Sequence, residues 1–183
     1  MNNKREKGQA MIEAMVALSV AVVGILGVFT LTSRSLSLNR VDADRYVAVN
    51  LANEGVELVK NLLDKNIMDD MQPWNSLQGF NGNGDYEMDY NDAGLTRLFG
   101  DARSLFFSKD GSGYYRYQQP EYPNDVQTAF KRIIRIESPT ANHIKVVSKV
   151  SWTSRGGSYD FSVEDHFYDL KIFKYNLNHE LGG

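Results

Sequence analysis

The 183 residues leave room for one domain plus a long N-terminal segment. There is no cysteine, which excludes a disulfide framework in any redox compartment. A formal net charge of −3 gives no electrostatic footprint for nucleic acid, so no specific nucleic-acid partner is expected.

The chain opens with a short leader, residues 1–8, that carries Lys4, Arg5, Glu6 and Lys7 and ends in Gly8. Gln9, Ala10, Met11, Ile12 and Glu13 follow, and an uncharged run of 18 residues extends from Ala14 to Leu31. That length is near what spans a bilayer core. A membrane segment is expected over about residues 10–31, as a helix, because backbone groups in lipid must be satisfied within the segment. Positive charge ahead of the run fits a cytoplasmic N-terminus, with everything after Leu31 outside the cytoplasmic membrane. Glu13 is the only charge between Lys7 and Arg34. A charge at the membrane centre costs roughly 2.5–3.5 kcal/mol or more, so such a carboxylate has either interfacial water or a partner. A secretory signal peptide is cut after its apolar part. Here no small-residue cleavage site follows the run, which passes into Thr32, Ser33 and Arg34, so the apolar segment is expected to be retained.

A basic leader ending in glycine, an apolar run, and a glutamate five residues beyond the glycine resemble the type IV pilin and pseudopilin family. The resemblance implies that a prepilin peptidase cuts between Gly8 and Gln9 and methylates the new amine of Gln9. It implies a role in subunit assembly for Glu13, fifth in the mature chain. The chain departs from the family at Gln9, where phenylalanine is usual, and at Thr30, where many major pilins have a helix-breaking proline. Gly24 and Gly27 look more like minor pilins of the pilus-modification type, or type II secretion pseudopilins. Loss of residues 1–8 would take the net charge from −3 to −5.

No proline occurs before Pro73, so the helix is expected to run on into water and to cover 9–67. Val47, Leu51, Leu58 and Leu62 share one helical face, and Ala48, Ala52, Val56, Val59 and Leu63 broaden it. Polar residues from Asn50 to Asp64 fill the other side, the pattern of a helix packing one face on a domain.

Residues 68–183 read as an exported domain. Asn81-Gly82-Asn83-Gly84 is a turn signal. Tyr86, Met88 and Tyr90 alternate with charged residues as one short strand. Asn81, Asn83, Asp85 and Glu87 place oxygen at alternate positions, a candidate calcium loop beside the plain reading of a solvated turn, and EF-hand spacing is absent. Leu105-Phe106-Phe107 and Tyr114 to Tyr117 flank Lys109-Asp110-Gly111-Ser112-Gly113 as a hairpin. Three longer runs follow. Thr128 to Glu137 is ended by Ser138-Pro139-Thr140-Ala141-Asn142, His143 to Ser154 by Arg155-Gly156-Gly157, and the last covers Ser158 to Leu170. Short turns between sequential runs imply an antiparallel meander with one buried face. Residues 176–183 are expected to fray.

The fold class is therefore α+β: a long N-terminal helix packed by its second half on an antiparallel sheet lying mainly within 104–170, as in pilins. No G-x-S-x-G or H-E-x-x-H occurs, and His143, His166 and His179 have no metal-ligand spacing. Aromatics at Tyr114, Tyr115, Tyr117 and Tyr122 read either as a sugar-binding surface or as hairpin packing. No enzyme activity and no cofactor are expected. The resemblance implies a structural subunit, a minor pilin or pseudopilin, whose partners are prepilin peptidase, other pilin or pseudopilin subunits and the cytoplasmic membrane. It would sit there single-pass before assembly, and in an extracellular or periplasmic filament afterwards. The alternatives are a signal-anchored exported binding module that does not polymerise, and an anchored enzyme.

Overall fold

The computed structural model describes residues 3–68 and 73–169. One helix, α1, covers Asn3–Met68 and already includes Gly8, Gln9 and Glu13. Seven strands follow: β1 Gly84–Glu87, β2 Thr96–Arg97, β3 Ser104–Phe107, β4 Tyr115–Arg116, β5 Val126–Thr140, β6 His143–Ser154 and β7 Gly157–Tyr168. The expected ends at Leu170 and over 176–183, and His179, lie outside the described residues. The chain divides into two units, Met1–Ala43 and Asp44–Gly183.

The described part of the first unit is helix throughout. Every large apolar side chain from Met11 to Leu31 is exposed, from Val22 at 47% to Phe29 at 70%.

In the second unit, the remainder of α1 supplies Ala48, Leu51, Ala52, Val56, Val59 and Leu63 to the core, as its periodicity predicts. Val47 and Leu62 sit partly buried at the edges of that face. All seven strands form one sheet in which every pairing is antiparallel. The meander is present as β5–β6–β7. Ile134, Ile136, Ile144, Val146, Val150 and Trp152 are buried on its inner face. Tyr159, Phe161, Val163 and Phe167 of β7 remain half-exposed, and Val163 and Phe167 pack at the border of the core.

Three details differ from the expected pattern. The sheet begins before 104, because β1 pairs with Ile134–Ile136 of β5 while β3 pairs with Val126–Lys131, so β1 and β3 lie end to end along one edge of β5. Pro139 does not end β5. The strand continues to Thr140, and the register shifts between Glu137 and Thr140. A residue without an N–H is tolerated where the ladder is already broken. Gly157 is the first residue of β7 and pairs with Ser154, leaving Arg155 and Gly156 as a two-residue turn. Both have positive φ, 52° and 78°, the geometry of a type I′ hairpin turn.

Two core clusters meet beneath α1. Val56, Val59 and Leu63 pack with Ile134, Ile136, Val146 and Tyr86, while Ala48, Leu51 and Ala52 pack with Leu105, Phe130, Val150 and Trp152. Between them sit Gly55, buried Ser148 and the fully buried Arg132. Arg132 Nη1 donates to the Leu51 carbonyl (3.1 Å) and Nη2 to the Met88 carbonyl (2.7 Å). Nη1 also lies 3.1 Å from Glu54 Oε1, a charge contact outside hydrogen-bond geometry. A Cβ at position 55 would overlap Ser148 Oγ and lie 3.0 Å from Ser148 Cβ. Glycine at 55 therefore sets how closely helix and sheet approach.

Gly55→Ala tests that spacing. In a free helix the change gains about 1 kcal/mol of propensity, but overpacking a filled interior costs about 1–3 kcal/mol. The expected result is a net loss of roughly 1 kcal/mol, read as a lower urea midpoint for the second unit. Adding Ser148→Gly should recover part of it, and a double-mutant cycle should show coupling. A Gly55→Ala variant more stable than the parent would refute the packing argument.

Candidate functional site

The first candidate is the start of α1. Gly8, Gln9 and Glu13 lie on one continuous helix and all are exposed. None of the described residues gives Glu13 an ion pair or a hydrogen bond. Polar groups in the apolar run and just after it are closed locally. Ser19 donates to the Met15 carbonyl (2.8 Å), Thr30 to Leu26 (2.8 Å) and Thr32 to Val28 (2.9 Å). Each hydroxyl thus uses a carbonyl one turn back and exposes no unmet donor, which is what a hydrocarbon environment demands. This is the one described helix long and apolar enough to cross a membrane, by length and composition.

The second candidate is the oxygen-rich stretch at Asn81, Asn83, Asp85 and Glu87. The structure distributes these groups and matches most of them to arginines. The Asn81 carbonyl accepts from Arg97 Nη1, and the Asn83 carbonyl accepts from Arg97 Nη2 (3.2 Å). Asn83 Oδ1 accepts from the Ser138 amide (2.9 Å). Asp85 pairs with Arg135 through both oxygens (2.7 and 2.9 Å), and this hydrogen bonding lowers its pKa. Glu87 is buried rather than solvated, and holds the backbone amide (2.7 Å) and Nε (2.5 Å) of Arg103. A hard cation here would have to displace guanidinium from both carboxylates. Among the described residues no group of three or more histidines and carboxylates is arranged to hold a metal.

A third cluster closes the β3–β4 hairpin. Buried Arg116 donates to Asp125 (Nε, 2.6 Å), Asp110 (Nη2, 2.9 Å), Ser108 (Nη2, 2.9 Å) and the Tyr90 hydroxyl (Nη1, 3.1 Å). Its guanidinium carbon lies 3.5 Å from the centre of the Tyr122 ring. Of the aromatics read as a sugar surface or hairpin packing, Tyr117 is buried and Tyr122 covers Arg116, while Tyr114 stays exposed beside Tyr90 with ring centres 4.8 Å apart. Asp110 is held below the usual carboxylate range by hydrogen bonds from Ser108 and Ser112 and then by Arg116. Asp125 is lowered first by its hydrogen bond to Arg116.

The structure also joins two residues that sequence spacing keeps apart. His143 Nε2 and His166 Nδ1 are 2.7 Å apart on the exposed face of β6 and β7. The signal was present. Counting outward from the Arg155-Gly156 turn puts His143 opposite Tyr168 and Lys145 opposite His166, so the two histidines are diagonal neighbours.

The lowered carboxylates set a direction for acid stability. Asp85, Asp110 and Asp125, whose ordinary value is 3.8, and Glu164, at 4.5, all bind protons less readily folded than unfolded. Their contribution is present above about pH 4 and is lost as pH falls through the folded values. Asp92, raised by burial, acts in the opposite sense, since its contribution is lost as pH rises through its folded value. Four groups outweigh one, so the melting temperature should fall steadily below about pH 4. Arg116→Gln should make that decline shallower, as followed by circular dichroism, and a melting temperature flat from pH 5 to pH 2 would refute the assignment. No family model, no curated protein and no solved structure matches this chain.

Proposed function

We propose that this chain is a structural subunit, a minor pilin or pseudopilin, of a type IV pilus-like filament. Prepilin peptidase cuts it after Gly8 and methylates Gln9. It waits in the cytoplasmic membrane, single-pass with its N-terminus inside, and then joins other pilin or pseudopilin subunits in an extracellular or periplasmic filament. The observation that carries the reading is the first unit of α1. Glu13 is the lone charge heading a run of exposed apolar side chains, on a helix with no break to Met68. An apolar surface of this extent in water is unfavourable, at roughly 25 cal/mol per Å². Lipid removes it before assembly, and neighbouring helices remove it afterwards.

In the filament, Glu13 neutralises the N-terminal amine of Gln9 in an adjacent subunit. Within an apolar core either charge alone would cost several kcal/mol, so the pair fixes axial register. An α+β domain following the helix, with an antiparallel sheet, suits the same role.

The first test is processing. Protein from native membranes should have an intact mass that starts at Gln9 with one added methyl, and Gly8→Ala should leave the leader attached. Intact Met1 in exported protein would replace this reading with that of a signal-anchored binding module.

The second test is assembly. Glu13→Leu should be inserted and cut normally, because it makes the segment more apolar. Its recovery in sheared filaments should fall more than tenfold, because an unpaired neighbouring amine costs more than roughly 1.4 kcal/mol. Glu13→Asp, shorter but still charged, should be intermediate. Undiminished recovery of Glu13→Leu at equal protein level would eliminate the charge pair.

A further inference from the structure

Independently of the filament reading, the outer face of β6 and β7 carries a small constellation of nitrogen donors. His143 and His166 meet edge to edge, with ring centres 5.0 Å apart and planes at 19°. Tyr168 stacks on a face of His143, at 4.6 Å and 7°. His166 Nε2 is 3.0 Å from Glu164 Oε1. Glu164 also pairs with Lys145 at 3.0 Å, and its pKa is lowered first by Lys145 and then by His166.

These contacts decide the protons. An ionised carboxylate only accepts, so His166 carries its hydrogen on Nε2, and in the neutral ring Nδ1 is a bare lone pair. That lone pair faces His143 Nε2 at 2.7 Å, so His143 donates its Nε2 hydrogen there. The arrangement is that of a metal-ligating histidine oriented by a carboxylate on its far nitrogen, with a proton where the metal would sit.

We propose that His143 Nε2 and His166 Nδ1 form an exposed two-histidine site for a borderline-soft divalent cation of the zinc, nickel or copper(II) class. Glu164 is its positioning residue, and water completes the coordination. Binding moves the His143 hydrogen from Nε2 to Nδ1 through solvent. Each ring keeps one N–H, and no net proton is released. Two nitrogens at 2.0–2.1 Å from a tetrahedral metal are about 3.3 Å apart. The pair therefore opens by about half an ångström, and each ring turns so that its lone pair aims at the metal and no longer at the other ring. Imidazole donors favour these cations over calcium and magnesium. Lys145, already neutralised by Glu164, is the nearby cation that binding must tolerate.

The test uses the full-length chain, without a polyhistidine tag, in detergent micelles. Zinc chloride is titrated calorimetrically, and copper(II) is followed by electron paramagnetic resonance. One saturable zinc per chain is expected, together with a copper spectrum showing two equivalent-class imidazole nitrogens. His143→Ala and His166→Ala should each weaken zinc at least tenfold. Glu164→Gln should weaken it about tenfold, the effect typical of an outer-shell carboxylate. His179→Ala should change nothing, and calcium should not compete. Glu164 and His166 are exposed and His143 is half-buried, and unchanged melting temperatures would show that the variants fold. Absence of saturable zinc, unaltered affinity in either His143→Ala or His166→Ala, or loss of binding in His179→Ala would each overturn the site.

Discussion

The second unit depends on one buried cation. Arg132 reaches from β5 across the core and donates to the carbonyls of Leu51 on α1 and of Met88 after β1. An apolar residue could not replace them, because the Met88 carbonyl after β1 would then be buried without its donor, at about 1–3 kcal/mol, while the Leu51 carbonyl would keep only its helical bond. A lysine could not span them either, since its ammonium is a point donor and the guanidinium is a fork. The same side chain therefore ties three separate segments together, and the glycine at position 55 lets the helix come close enough for it to do so.

Arginine does comparable work elsewhere in the second unit. Arg97 and Arg116 each close a loop by donating to several oxygens at once, Arg103 holds Glu87 through its amide and Nε, and Arg135 pairs across the strands with Asp85. With no cysteine to staple them, the loops between Pro73 and Asp125 are held by planar cations against carboxylates and carbonyls. In the described part of the first unit the hydroxyls of Ser19, Thr30 and Thr32 are satisfied one turn away on the same helix.

What was legible in the residues follows from this division. Periodicity revealed the helix and its buried face, because Ala48 through Leu63 obey a single repeat against one sheet. Alternation revealed β6, and turn residues revealed the hairpin at 109–113, because those signals are local. Arg116 and Arg132 were not legible as core residues. Burial of an arginine is decided by acceptors far along the chain, here 81 positions away for Arg132 and Leu51. The end-to-end placement of β1 and β3 on β5 was hidden for the same reason. The start of α1 stands differently, since its meaning lies in spacing between Gly8, Glu13 and the apolar run, which folding leaves as it found it.

The two-residue turn at Arg155-Gly156 has a consequence for the order of events as the chain folds. It zips β6 to β7 through contacts whose loop closure is nearly free, and the short Ala141-Asn142 link does the same for β5 and β6. Hairpins of this kind close in roughly microseconds. The contacts that seat α1 span most of the domain and cost far more entropy to close. Loop-closure entropy thus favours pairing of the meander ahead of docking of the helix. Until then the inner face of the sheet is open, and the apolar stripe of α1 around Leu51 to Leu63 is the latch that closes it.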